Sequence, residues 1–141
     1  MLKALLPVDG SENSLRAVKH LINLVQGREP MDVHILNVQE PIDAWEVKRC
    51  FKAEEIEAMQ VSAGGDALQA ARVLLDEAAI PFTAQVLIGD VAESVARYAH
   101  EIGADKIIMG TRGMTPLANL MLGSIATKVI HLTEIPVTLV R

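Results

Sequence analysis

Two short segments carry the residues best suited to chemistry. Gly110-Thr111-Arg112-Gly113 is followed by nine residues and then by Gly123-Ser124. Glycines let backbone N–H groups approach phosphate oxygens with no Cβ in the way. A helix opening at Gly123-Ser124 would add N–H groups that lack partners. Arg112 supplies a positive charge, and Ser124 and Thr127 supply hydroxyls. The chemistry this points to is phosphate binding. The alternative, that these glycines only make turns, is weakened by their place after an apolar run and before a helical pattern. The second segment is Pro7-Val8-Asp9-Gly10-Ser11. Asp9 ends an apolar run and Ser11 can cap the helix that follows; capping needs only one of the two.

These segments must be positioned by alternating elements. Residues 2–8, 33–38, 82–88, 106–109 and 137–140 read as strands. Helical patterns occupy 11–25, 54–79 and 124–132, and Asp90-x-x-Glu93 caps another that runs through Ile102 to a stop at Gly103. In the long helix, Ile56, Met59, Ala63, Leu68, Ala71, Leu74 and Ala78 fall roughly in phase, while Gly64-Gly65 invites a break or kink. Residues 41–52 show no period and read as an irregular connection; 110–122 read as a long loop. The order βαβαβαβαβ, with near-continuous apolar strands, predicts an α/β fold: a parallel sheet covered on both faces. No linker or repeat interrupts it, so one domain over 1–141 is expected.

Composition narrows the function classes. Half of the 141 residues are hydrophobic and 22% are charged, which is ordinary for a globular domain. With one Trp, one Tyr and two Phe, the core must be aliphatic. A net charge of −5 argues against a nucleic-acid binder and against adhesion to anionic membranes. The lone Cys50 excludes an internal disulfide and fits a reducing compartment. No apolar run reaches the roughly 18 residues of a membrane span, and the first nine residues lack a signal peptide's h-region. A cytoplasmic protein is expected.

At this point the chain resembles the universal stress protein family, whose ATP-binding members share Gly-x2-Gly-x9-Gly-[Ser/Thr]. Here the pattern is Gly110, Gly113, Gly123 and Ser124. The run Ala104 to Gly113, the loop Pro7 to Ser14 and the ending Ile135 to Val140 are similar too, so the likeness spans the chain. It implies a three-layer, Rossmann-like open sheet of the adenine nucleotide alpha hydrolase type, with five parallel strands in the order 3-2-1-4-5. It also implies a site for ATP, or ADP or AMP, with Mg²⁺ arriving through the phosphates. Pro7, Val8 and Asp9 would lie at the nucleoside end, Val38 against adenine, and Met109 and Gly110 beside the ribose. Arg112, Gly113, Gly123, Ser124 and Ile125 would hold the phosphates. Ala126 departs from relatives that carry a hydroxyl there, a contact worth about 1.5–3 kcal/mol if charge-assisted.

The family further implies a homodimer through residues 136–141. An uncovered apolar edge strand there would itself invite pairing, and a two-fold antiparallel pairing closes both edges at once. The expected role is a nucleotide-binding regulatory protein of the stress response that signals to a protein partner. One alternative is a slow ATP hydrolase, although no Lys follows the glycines and Asp9 is the only acid near the site. Another is a dimeric scaffold that binds no nucleotide. His20, His34, His100 and His131 show no metal-ligand spacing. Trp45 could cover the nucleotide, though a lone loop Trp more often packs on its own domain.

Overall fold

A computed structural model describes residues 1–111 and 122–141. The chain forms β1 (Leu2–Pro7), α1 (Glu12–Gln26), β2 (Met31–Gln39), α2 (Trp45–Cys50), α3 (Ala53–Glu77), β3 (Phe82–Ile88), α4 (Val91–Glu101), β4 (Lys106–Gly110), α5 (Ser124–Leu132) and β5 (Val137–Val140). All five strands pair in parallel, in the order β3-β2-β1-β4-β5. Ala4 stands opposite both Val33 and Lys106, so the register runs through the centre of the sheet.

Successive strand residues point to opposite faces, and the two faces hold separate cores. Leu6, Val33, Ile35 and Ile108 meet Val18 and Leu21 of α1 and Leu68, Ala71 and Leu75 of α3. Leu5, Leu36, Ile107 and Met109 meet Val95 and Ala99 of α4 and Ala126 and Val129 of α5. The sequence supplies the stops between elements. Ser11 caps α1 and Asp90 caps α4, each accepting a hydrogen bond from the backbone three residues on. Gly103 turns the chain out of α4 at φ 67°, a backbone conformation that only glycine adopts freely.

Three expectations need correction. The segment 41–52 contains a helix, α2, although none of its residues is buried. It has no apolar stripe because it covers no core. Local contacts hold it: Arg49 lies over the Trp45 ring at 5.3 Å, and Lys48 pairs with Asp43 at 3.5 Å. The glycine pair does not break α3, which runs unbroken for 25 residues. Nor does its first half bury Met59 and Ala63; it buries Gln60 and Gly64. Gly64 lies so close to the sheet that a Cβ would collide with Val86 Cγ1, and Gln60 Nε2 donates to Glu40 O at 2.5 Å.

The two glycines therefore differ in kind. Gly65→Ala adds a Cβ that meets nothing within 4 Å and should stabilise the fold by about 0.5–1 kcal/mol through helix propensity. Gly64→Ala should destabilise it by about 1–3 kcal/mol through overpacking. Urea denaturation midpoints of the two variants, shifted in opposite directions, check this.

Candidate functional site

The sheet grows outward from β1 in two directions. α1 and α3 carry it to β2 and β3 across one face, and α4 and α5 carry it to β4 and β5 across the other. The connections out of β1 and β4 thus part, leaving a crevice at the carboxyl ends of these neighbouring strands. A cavity of about 400 Å³ occupies it. Its floor is Pro7 at the end of β1 with Val8 and Asp9 after it, Leu36, Asn37 and Val38 in β2, and Met109, Gly110 and Thr111 at β4. Val91 and Val95 of α4 make one wall; Gly123, Ser124, Ile125 and Ala126 of α5 make another.

Ten of the twelve residues expected at a site are therefore brought together: Pro7, Val8, Asp9, Val38, Met109, Gly110, Gly123, Ser124, Ile125 and Ala126. Arg112 and Gly113 lie outside the described residues. Trp45 is 61% exposed and is not part of the lining. Sequence reasoning missed Ser14, Leu36, Asn37, Val91, Val95 and Thr111. Asn37 could have been noticed as the one amide inside the apolar run 33–38. Val91 and Val95 stand one helical turn apart, but that spacing alone signals a core face.

Asn37 sets the shape of the apolar end. It is 3% exposed, and its Nδ2 donates to Val8 O at 2.8 Å. Its Oδ1 accepts from Gln39 Nε2 at 2.7 Å. The Val8 N–H donates to Leu36 O at 2.8 Å, so the carboxyl ends of β1 and β2 are tied together. Asp9 and Ser11 share the work of the first loop. Asp9 Oδ1 accepts from Ser11 N at 2.9 Å, while Ser11 Oγ accepts from Ser14 N at 3.2 Å to cap α1. Only Asp9 lines the cavity. No Lys, Arg or other acid does so among the described residues.

The opposite end is made of backbone. Gly123 N donates to Thr111 O at 2.6 Å, and Thr111 N donates to Val140 O at 3.0 Å, so α5 is hung from the ends of β4 and β5. Gly123 is the N-cap of α5 and offers no side-chain acceptor. A helix leaves its first N–H groups without intrahelical partners. Here those are Ser124, Ile125 and Ala126, all on the cavity wall. The Thr127 hydroxyl is turned away from that role: it donates to Gly123 O at 3.0 Å. Gly110 must be glycine for space, since a Cβ would collide with the Asn13 amide, whose Nδ2 donates to Val140 O at 3.1 Å. The cavity thus joins an apolar slot to a cluster of free N–H groups with partial positive charge.

Compared with known proteins, the universal stress protein family model matches residues 1–141. The chain belongs to the universal stress protein family. A universal stress protein of Methanocaldococcus jannaschii is 30% identical to it, over 99% of this chain and 81% of the relative. Among solved structures, a hypothetical protein whose biochemical function was assigned from its structure superposes with a TM-score of 0.81 at 26% identity, over 98% of this chain and 94% of the other. The universal stress protein UspA of Lactobacillus plantarum does so at 0.80 and 19% identity, over 99% and 97%. Universal stress protein structures at 17–19% identity include one in complex with cAMP (TM-score 0.72). Another, from Archaeoglobus fulgidus, is in complex with dAMP, and one from Arabidopsis thaliana has AMP bound, both at a TM-score of 0.70. The sheet order of this chain is the one the family resemblance implied.

Because Asn37 is buried with both amide atoms engaged, Asn37→Leu strands the Val8 carbonyl and should cost about 1–3 kcal/mol. Gln39→Leu, at a half-buried position, should cost less. Chemical denaturation of both variants measures the difference.

Proposed function

We propose that this universal stress protein domain, a single unit of 141 residues, binds an adenine nucleotide in the cavity between β1, β4 and α5. One observation carries the reading: the cavity unites an apolar slot with the uncapped N-terminus of α5. The slot, walled by Val38, Val91, Val95 and Met109, suits a flat base. The N–H groups of Ser124, Ile125 and Ala126 suit phosphate oxygens. Asp9, at the end of β1, faces the ribose between them. ATP, with Mg²⁺ carried on its phosphates, is the ligand the glycine pattern implies. The cAMP, dAMP and AMP complexes of similar structures support the nucleotide class.

The same reading makes the protein a regulatory module of the stress response, acting in the cytoplasm through a protein partner. No helix among the described residues is long and apolar enough to cross a membrane. It also makes it a homodimer joined along residues 136–141. β5 is an edge strand with Leu139 36% exposed. Pro136 O and Val140 O accept hydrogen bonds on the β4 side. By alternation the backbone groups of Val137 and Leu139 face outward, free to pair.

Two experiments test these statements. Purified protein is denatured and its released small molecules are identified by mass spectrometry, then the ligand-free protein is titrated with ATP, ADP and AMP. Ser124→Pro is the informative variant. Proline is tolerated at the first helical position, and Gly123 before it is already extended, with ψ 154°. The variant keeps the fold, loses one N–H and should bind nucleotide at least about tenfold more weakly, the worth of one charge-assisted hydrogen bond. Ser124→Ala controls for the hydroxyl. An absence of binding at millimolar nucleotide overturns the reading. For the dimer, Leu139→Pro removes only an outward N–H; sedimentation should show a folded monomer, and a persisting dimer would place the interface elsewhere.

A further inference from the structure

Resting on that reading of the cavity, we infer that Asn37 is a positioning residue for the nucleotide base. By occupying the Val8 carbonyl it keeps the Val38 N–H out of the sheet ladder and free for an acceptor on the base. The register shows what the ladder would otherwise do. Pro7 stands opposite Leu36 as β1 ends, and the Val8 N–H still donates to Leu36 O at 2.8 Å. In a parallel ladder the backbone groups of alternate residues face the same neighbouring strand. Leu36 and Val38 thus face β1. Gln39 faces the other way, where its carbonyl accepts from Gly89 N at 2.9 Å. Regular pairing would continue with the Val38 N–H donating to Val8 O.

That bond is not made. Val8 O accepts instead from Asn37 Nδ2 at 2.8 Å, and among the described residues the Val38 N–H has no partner. A carbonyl can only accept, so the amide nitrogen of Asn37 must face it. Two neighbours hold the amide there. Its Oδ1 accepts from Gln39 Nε2 at 2.7 Å, and α3 comes so close that a Cβ on Gly64 would stand 3.1 Å from that oxygen. The chain after β1 does not cover Val38 either. Gly10 turns it aside at φ 84°, and Ser11 N donates to Asp9 Oδ1. Val38 is half-buried on the cavity floor, where an N–H without a partner is costly. A ring nitrogen or carbonyl of a planar base in the slot would relieve that cost. The Ser14 hydroxyl, also on the lining, is already spent on Ser11 O at 2.9 Å.

Amide hydrogen exchange of ligand-free protein, followed by NMR, tests the first half of this inference. Val38 should exchange at least tenfold faster than Leu36, which lies within the β1–β2 pairing. In Asn37→Leu the Val38 N–H can take the lost donor's place on Val8 O, so Val38 exchange should slow at least fivefold although the fold is weakened. Titration tests the second half. AMP affinity should fall at least fivefold in Asn37→Leu, whereas affinity for ribose 5-phosphate, which has no base, should change less than twofold. Gln39→Leu leaves the Asn37 donor in place and should give smaller shifts in the same directions. A purely structural role for Asn37 predicts the opposite: faster exchange at Val38 and equal losses for both ligands. Either of those results, or an unchanged AMP affinity, overturns the inference and leaves the nucleotide reading intact. AMP failing to bind the unaltered protein sinks the nucleotide reading and this inference with it.

Discussion

Neighbouring side chains of β1 enter different cores, Leu5 one and Leu6 the other, and neither is exposed at all. A central strand buried on both faces needs helices on both, and parallel pairing needs a crossover after each strand. β1 pairs with β2 on one side and β4 on the other, and the crossovers that leave β1 and β4, through α1 and α5, run over opposite faces. The crevice between them follows from that arrangement. It exists before any side chain is chosen to fill it, and the candidate site is built from what the two strand ends and the nearest helix place there.

What lines that crevice is mostly backbone and aliphatic surface. At one end the β1 and β2 termini are locked together through Asn37. At the other, the links from Gly123 to Thr111 and from Thr111 to Val140 suspend α5 so that its first turn opens into the cavity. Among the described residues, neither end carries a Lys or Arg side chain. A ligand would be recognised by fit and by fixed dipoles, which need no reorganisation on binding and therefore little ordering entropy. The hydrogen bonds that hold the α5 N-terminus also end on β5, the strand at the sheet edge. Gly123, Thr111 and Val140 thus join the cavity wall to that edge.

Much of this was legible in the chain. The strand expected at 82–88, the helix at 124–132 and the strand at 137–140 have those bounds in the structure. Apolar runs and caps such as Asp90 are local signals that tertiary contacts reinforce. The glycine motif, the first loop and, through the family resemblance, Val38 named ten residues that the fold brings around one cavity. The misses share a cause. α2 buries nothing, so no apolar period marks it. The first half of α3 buries Gln60 and Gly64, residues whose types say surface or breaker until Val86 and the Glu40 carbonyl are seen opposite them. Val91 and Val95 look like any core pair from α4 alone.

The sequence by itself determined the alternation of elements, the parallel covered sheet and the motif residues. Periodicity, capping and glycine spacing are properties of short stretches of chain. Only the tertiary structure decided the pocket's walls, the engagement of both Asn37 amide atoms and the withdrawal of the Thr127 and Ser14 hydroxyls. It alone showed Asp9 as the one charged side chain on the described wall. These depend on which distant residues meet. A donor in the sequence is only a capacity; whether it is free for a ligand is settled by the partner that packing puts beside it.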